Sequence, residues 1–300
     1  MMTESRLAIF GTRGLAHHAG GDPSGRHARP RPVAAAITVL CLAVAGCAAV
    51  RTSTSGERQA VIDRIVAASA KVVIEQGGRR VASGSGVVVA SRTEEPGIGA
   101  VSYVLTAAHI LDGKEGADVF VRFTGTYAVR GKYAATVSRR RNAETLDLAL
   151  LRVPGIAVPP VSFPADDHVR LGEEILVVGF PWGKRLGLFS GIVSQVPSES
   201  KEDVTAEEGT EQTIVVDAAA AKGVSGGGVF RESTGNLLGV VEGYQTASIA
   251  VKDRSQTYSV KVPMPGETFV VPITRIRRFL EDAGLDRPFG SPGRTEDRKD

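Results

Sequence analysis

The sequence predicts an all-β protein, a barrel or a sandwich by its strand pattern, with two series of strands that suggest two barrels. Three observations carry this. Short β-branched runs bounded by turn residues recur along most of the chain, which is the pattern of half-buried strands. They fall into two series separated by the proline-rich stretch Pro154–Asp167. Thirty-five glycines, against 5% aromatic residues, suit the tight turns that many short strands need. With 300 residues, 42% of them apolar, the chain can build one large domain or two small ones.

Residues 1–46 read as a signal peptide of lipoprotein type. Arg26, Arg29 and Arg31 precede the apolar stretch Val33–Val44. That stretch is too short for an ordinary membrane-spanning helix and suits the core of an export signal. It ends in Val44-Ala45-Gly46-Cys47, which resembles the lipobox of bacterial lipoproteins. The resemblance implies that Cys47 is lipidated and becomes the new N-terminus. The alternative is an ordinary signal cut near Ala49. Ala48 rather than Asp after the cysteine implies the outer membrane in a two-membrane cell. The expected location is therefore the bacterial cell envelope, exported and membrane-anchored on the periplasmic face.

The remaining elements follow in order. Residues 47–57 form a polar linker rich in Ser and Thr. Arg58–Ala70 reads as an amphipathic helix, with Val61, Ile62, Ile65 and Val66 at helical spacing. The first series of strands is Lys71–Glu75, Gly84–Ala90, Val101–Leu105, Asp118–Phe123, Tyr133–Ser138 and Leu146–Val153. The second is Glu174–Phe180, Leu188–Gln195, Thr213–Asp217, Gly228–Arg231, Leu237–Gly243 and Thr268–Ile273. The two barrels are expected over about 71–160 and 170–273, within one domain spanning 58–282. Ile273–Ala283 reads as a closing helix with Ile273, Ile276, Phe279 and Leu280 on one face. Residues 283–300 are polar and are expected to be a disordered tail.

Charge and cysteine usage exclude several classes. The net charge of +3 resides in residues 1–46, and the remainder is neutral, so nucleic-acid binding has no support. Cys41 and Cys47 are the only cysteines. No disulfide can form in the rest of the chain, and the fold must rest on its core. Only His109 and His168 follow the leader, so neither a metal site nor a cofactor is expected.

Three segments carry chemistry. Ser225 lies in Gly223-Val224-Ser225-Gly226-Gly227-Gly228. A serine hydroxyl needs a neighbouring base to act as a nucleophile. Gly223 lets the backbone turn so that its own N–H and that of Ser225 meet as an oxyanion hole. Taken alone, the segment is equally a glycine-rich turn bearing a solvated serine. It also matches G-x-S-x-G, but that elbow requires a histidine after the serine, and none follows His168. His109 ends Thr106-Ala107-Ala108-His109, where small neighbours leave room for an imidazole. His168, on the connecting stretch, is assigned a structural role. Asp147 sits in Leu146-Asp147-Leu148-Ala149-Leu150-Leu151. It either faces solvent on a half-buried strand or orients His109.

These segments, in the order His, Asp, Ser, resemble the trypsin-like serine proteases, and most closely the HtrA/Deg type. Secondary segments agree: Gly84-Ser85-Gly86-Val87-Val88, Val178-Gly179-Phe180-Pro181-Trp182-Gly183, Ser190-Gly191-Ile192-Val193-Ser194 and Phe269-Val270-Val271-Pro272. The match covers about residues 71–282. The resemblance implies two six-stranded antiparallel barrels with the site in the cleft between them. It implies a serine endopeptidase that cleaves polypeptides, unfolded or exported proteins among them, through an acyl-enzyme. His109, Asp147 and Ser225 would be catalytic, and the N–H groups of Gly223 and Ser225 the oxyanion donors. Ala219 would floor the primary pocket, with Val240, Val241 and Glu242 as its wall and as the substrate-pairing strand. Lacking a charge at Ala219, that pocket is expected to favour small or medium apolar side chains.

Departures from the pattern are Val224, where Asn is usual, and Gly228, where Pro is usual. Both are expected to loosen the oxyanion loop, which motivates an alternative reading as a latent or inactive protease-fold binding or chaperone module. No PDZ domain is expected after the second barrel. Ser198–Glu211 reads as an exposed acidic loop, and Gln245–Glu267 as an inserted hairpin near the substrate-binding edge.

Overall fold

The computed structural model describes residues 55–93, 99–125, 131–142, 146–197, 213–252 and 256–285. The leader, Cys47, most of the linker, the acidic loop and the tail beyond residue 285 lie outside the described residues.

A helix over 55–67, α1, opens the described chain. Strands β1 (Ser69–Gln76), β2 (Arg79–Thr93), β3 (Ala100–Ala107), β4 (Asp118–Phe123), β5 (Tyr133–Arg141) and β6 (Leu148–Pro154) follow. They close a barrel in the order β1-β2-β3-β6-β5-β4. Strands β7 (Glu174–Gly179), β8 (Gly187–Gln195), β9 (Ile214–Asp217), β10 (Gly228–Arg231), β11 (Leu237–Lys252) and β12 (Thr257–Pro272) close a second, in the order β10-β11-β12-β9-β8-β7. Every pairing is antiparallel. Helix α2 (Ile273–Glu281) ends the fold. Two closed six-stranded antiparallel barrels are the architecture the sequence predicts.

The β7 sequence shows why the barrels stay together. Ile175 and Val177 point into the core of the second barrel, while Leu176 and Val178 join the cluster that fills the first. Both faces of β7 are thus buried, and its apolar run is continuous rather than alternating. The same large cluster takes in Phe230, Val240 and Val271 of the second barrel, and Ile273, Ile276, Phe279 and Leu280 of α2. The contact between barrels therefore contains an apolar core.

Two boundaries differ from the sequence expectation. Helix α1 stops short of Ala70 because Ser69 already pairs with Val87 in the β1–β2 ladder. The Ser69 hydroxyl donates to the Ile65 carbonyl at 2.7 Å and closes the helix end. The larger difference is in β11 and β12, which run on past the barrel as a long ribbon, with Thr246 opposite Pro263 and Lys252 opposite Thr257. The segment read as an insertion is this hairpin. Ile249 faces Val260 and Val251 faces Tyr258, so the four share one face of the ribbon. All four are exposed, between 46% and 50%. The alternation is that of a strand, but no interior lies beneath it.

Candidate active site

His109 and Asp147 are brought together by one strand pair. β3 and β6 are antiparallel with Ala107 opposite Leu148, so the residues just beyond β3 meet those just before β6. His109 lies in the short 3-10 turn Ala108–Leu111. Asp147 immediately precedes β6, is 1% exposed, and has φ +47. Aspartate tolerates that left-handed conformation better than most residues. Its N–H donates to the Asn142 carbonyl at 2.9 Å, and its carbonyl accepts from the Ala108 N–H at 3.1 Å. The solvent-facing alternative for Asp147 is thereby removed. The strand starts at Leu148, and the left-handed turn breaks the alternation that would have put Asp147 outside.

The Asp147 carboxylate grips the histidine twice. Oδ1 accepts from the His109 backbone N–H at 2.8 Å, and Oδ2 is 2.7 Å from Nδ1. The network assigns the ring proton to Nδ1 and leaves Nε2 of the neutral ring as a base. The hydrogen bond to Asp147 holds the His109 pKa above its ordinary value. Burial opposes this, while the charges of Asp147, Asp112 and Glu242 reinforce it.

Ser225 follows β9 on a loop that both barrels hold. The Val224, Gly226 and Gly227 N–H groups donate to the carbonyls of Ala221, Val241 and Val224 at 3.0, 2.7 and 2.7 Å. The Lys222 carbonyl accepts from the Trp182 N–H, and the Ser225 carbonyl from the Ser85 N–H at 2.8 Å. Between residues 223 and 227, the N–H groups of Gly223 and Ser225 alone have no partner among the described residues. A trans peptide points its C=O and N–H in opposite directions, so fixing the Lys222 carbonyl also fixes the Gly223 N–H. Gly223 has φ +97, and a Cβ there would lie 2.7 Å from the Phe180 carbonyl oxygen. Only glycine fits.

Ser85 is the residue that sequence reading passed over. It is completely buried. Its hydroxyl donates to the Gly223 carbonyl at 2.7 Å and accepts from the Phe180 N–H at 2.8 Å. Its own carbonyl accepts the Thr106 hydroxyl at 2.6 Å. Ser85 on β2 of the first barrel thus supports the loop of the second. The available signal was Gly84-Ser85-Gly86, a polar residue between two glycines just before the apolar run Val87-Val88-Val89-Ala90. The glycines admit close approach: a Cβ on Gly84 would lie 3.1 Å from the Ser225 carbonyl oxygen.

Val224 and Gly228 also find local reasons. Val224 is fully buried in the core of the second barrel. A Cβ on Gly228 would collide with the Phe230 ring at 2.3 Å. The loop is tied by packing and by Ser85 where looseness was expected.

His109, Ser225 and Gly223 line one cleft of about 790 Å³, together with Glu242, Gly243, Tyr244 and Thr246. No hydrogen bond joins Ser225 to His109 among the described residues; such contacts commonly tighten only with substrate present. Of the expected pocket residues, Glu242 lines this cleft. Val240 and Val241 do not, because both are core residues with at most 1% exposure. Ala219 is exposed on the segment after β9 and is not among the lining residues. Glu242 is half-buried, and its pKa is raised by burial and by the nearby Asp147, against the pull of Arg275 and His109.

Residues 84–240 match the family profile described as "Trypsin-like peptidase domain". The chain belongs to this family. Among named relatives, this trypsin-like domain is 28% identical over 215 residues to "Probable periplasmic serine endoprotease DegP-like" of Ectopseudomonas mendocina, covering 65% of this chain and 41% of that protein. It is 27% identical over 189 residues to "Serine protease HtrA-like" of Staphylococcus haemolyticus, covering 60% and 26%. The chain thus spans less than half the length of these relatives. Among solved structures, the serine endoprotease from Yersinia pestis superposes with a TM-score of 0.55 at 18% identity, over 75% of this chain and 66% of that one. That likeness shows the shared two-barrel fold.

Proposed function

We propose that the protein is an exported serine endopeptidase, anchored in the cell envelope through lipidated Cys47. The observation that carries the catalytic part is the double hydrogen bond from His109 to Asp147, with His109 lining the same cleft as Ser225 and Gly223. In this reading His109 Nε2 takes the Ser225 proton as the serine oxygen attacks a peptide carbonyl carbon. The carbonyl oxygen becomes an oxyanion facing the N–H groups of Gly223 and Ser225, each donor contributing about 3 kcal/mol. Collapse breaks the C–N bond, and His109 returns the proton to the leaving amine. Water, activated by the same base, then releases the acyl group from Ser225. Asp147 keeps the ring in the required tautomer and stabilises the imidazolium. Substrates are polypeptides, with small or medium apolar residues preferred before the scissile bond over Arg or Lys.

The test is labelling of folded, mature protein by a fluorophosphonate probe. Labelling that disappears in Ser225→Ala supports the reading, and no labelling of the parent protein sinks it. For the anchor, palmitate incorporation should disappear in Cys47→Ser; persistence there would refute lipidation at Cys47.

A further inference from the structure

We infer that the cleft selects polypeptides whose segment after the scissile bond is acidic. The inference rests on the proposed peptidase reading. The cleft lining holds Glu242, Gly243, Tyr244 and Thr246 of β11, and also Arg80, Lys114, Lys222 and Trp182. The Lys222 carbonyl accepts from the Trp182 N–H and Arg80 donates to the carbonyl of the adjoining Gly183, so these form a cationic end around Trp182. The three cations have no carboxylate partner among the described residues. Arg80 donates to the Gly183 carbonyl at 3.2 Å and Lys114 to the Asp112 carbonyl at 2.6 Å. Both acceptors are neutral, and the nearby Asp112 carboxylate is engaged by Arg140. The Lys71 ammonium also reaches the Gly183 carbonyl. Burial, followed by the charges of Arg80 and Arg122, lowers its pKa.

The chemistry tells which end receives the leaving segment. The amine that departs takes its proton from His109, so the new N-terminus begins beside that ring. From His109 the lining continues through Ile110 to Lys114. Lys222 directly precedes Gly223, on the other side of the reacting carbonyl. In the proposed peptidase reading the acyl portion is left to the β11 residues of the lining, Glu242 among them. Acidic side chains in the departing segment would meet Arg80, Lys114 and Lys222, whereas basic ones would meet three like charges. Exposed and half-buried pairs of this kind each contribute a factor of a few, and three together give roughly tenfold discrimination.

Trp182 supplies a readout independent of catalysis. It is the sole tryptophan of the chain, 62% exposed, and lines the cleft at the cationic end. The full chain carrying Ser225→Ala is titrated with two peptides that match up to the scissile position. One continues with Asp and Glu, the other with Lys. Trp182 fluorescence should report roughly tenfold tighter binding of the acidic peptide, with the ratio falling toward one at about 0.5 M salt. The double variant Arg80→Glu with Lys222→Glu should invert the preference; if it fails to fold, the salt titration of the single variant still decides. Equal binding of both peptides, or a preference that salt leaves intact, overturns the inference. Failure of the peptidase reading looks different: the acidic preference persists in fluorescence while the parent protein resists the fluorophosphonate probe.

Discussion

Replacing Ser85 with alanine tests whether the first barrel holds the nucleophile loop of the second. The residue is fully buried, and its hydroxyl bonds the Gly223 carbonyl at 2.7 Å and the Phe180 N–H at 2.8 Å. Ser85→Ala removes both bonds and leaves a buried acceptor and a buried donor unpaired. Each orphaned group costs about 1–3 kcal/mol, so the expected loss is roughly 3 kcal/mol. For a domain of this size that corresponds to a fall in Tm of about 6–12 °C. The effect should also reach the chemistry, because Gly223 is held on both sides. The peptide before it is held through the Lys222 carbonyl and its own carbonyl by Ser85, and the second hold is lost. Losing an oxyanion donor outright costs roughly a hundredfold or more in kcat. A donor that is merely less well held should cost about tenfold, in kcat rather than KM. The assays are thermal unfolding by circular dichroism and steady-state hydrolysis of a quenched peptide, with active sites counted by fluorophosphonate titration. A Tm within 2 °C of the parent, together with an unchanged kcat, would refute the argument.

Two further outcomes follow from the site. Because Asp147 holds the His109 pKa high, the rising limb of kcat/KM should have its midpoint above ~6.5, the ordinary histidine value. The same shift contributes stability that is complete below that unfolded value and lost as pH rises through the folded one. Glu242→Gln removes a negative charge that raises the His109 pKa, so the midpoint should move to lower pH; an unchanged or higher midpoint contradicts this. Gly226→Ala should prevent folding of the loop. Gly226 has φ +85, and a Cβ would lie 2.2 Å from the Ser85 carbonyl oxygen and 2.4 Å from the Thr106 hydroxyl. Soluble, labelled Gly226→Ala protein with parental Tm would count against this packing.

Much of the architecture was legible because strands announce themselves locally. The apolar run of β7 and the alternation in β4 are short-range patterns, but such patterns fit a sandwich as well as a barrel, and closure became legible only through the resemblance carried by the His, Asp and Ser segments. The site was legible only in pieces. Asp147 sits in a sequence that reads as simple alternation, and nothing local reveals the left-handed turn that buries it. The resemblance puts Val240 and Val241 on the pocket wall, yet the side chain of each belongs to a core. Ser85 was hidden for another reason. Its partners Gly223 and Phe180 are 138 and 95 residues away, and no window along the chain contains such a contact. The β11–β12 ribbon is legible as a hairpin insertion, but its apolar alternation promises a core that the fold does not provide.

The hydroxyl of Ser85 also bears on timing. Its bond to Gly223 closes a loop of well over a hundred residues, and contacts of such separation form late in folding. Under the proposed mechanism, His109 and Asp147 can be paired as soon as the first barrel exists, but the loop carrying Ser225 is not braced until the two halves dock. A chain that is partly synthesised or opened at one barrel would hold a base and its orienting acid without a formed oxyanion hole. Docking of the barrels would then act as the arming step, protecting the machinery that produces the protein from the protein itself.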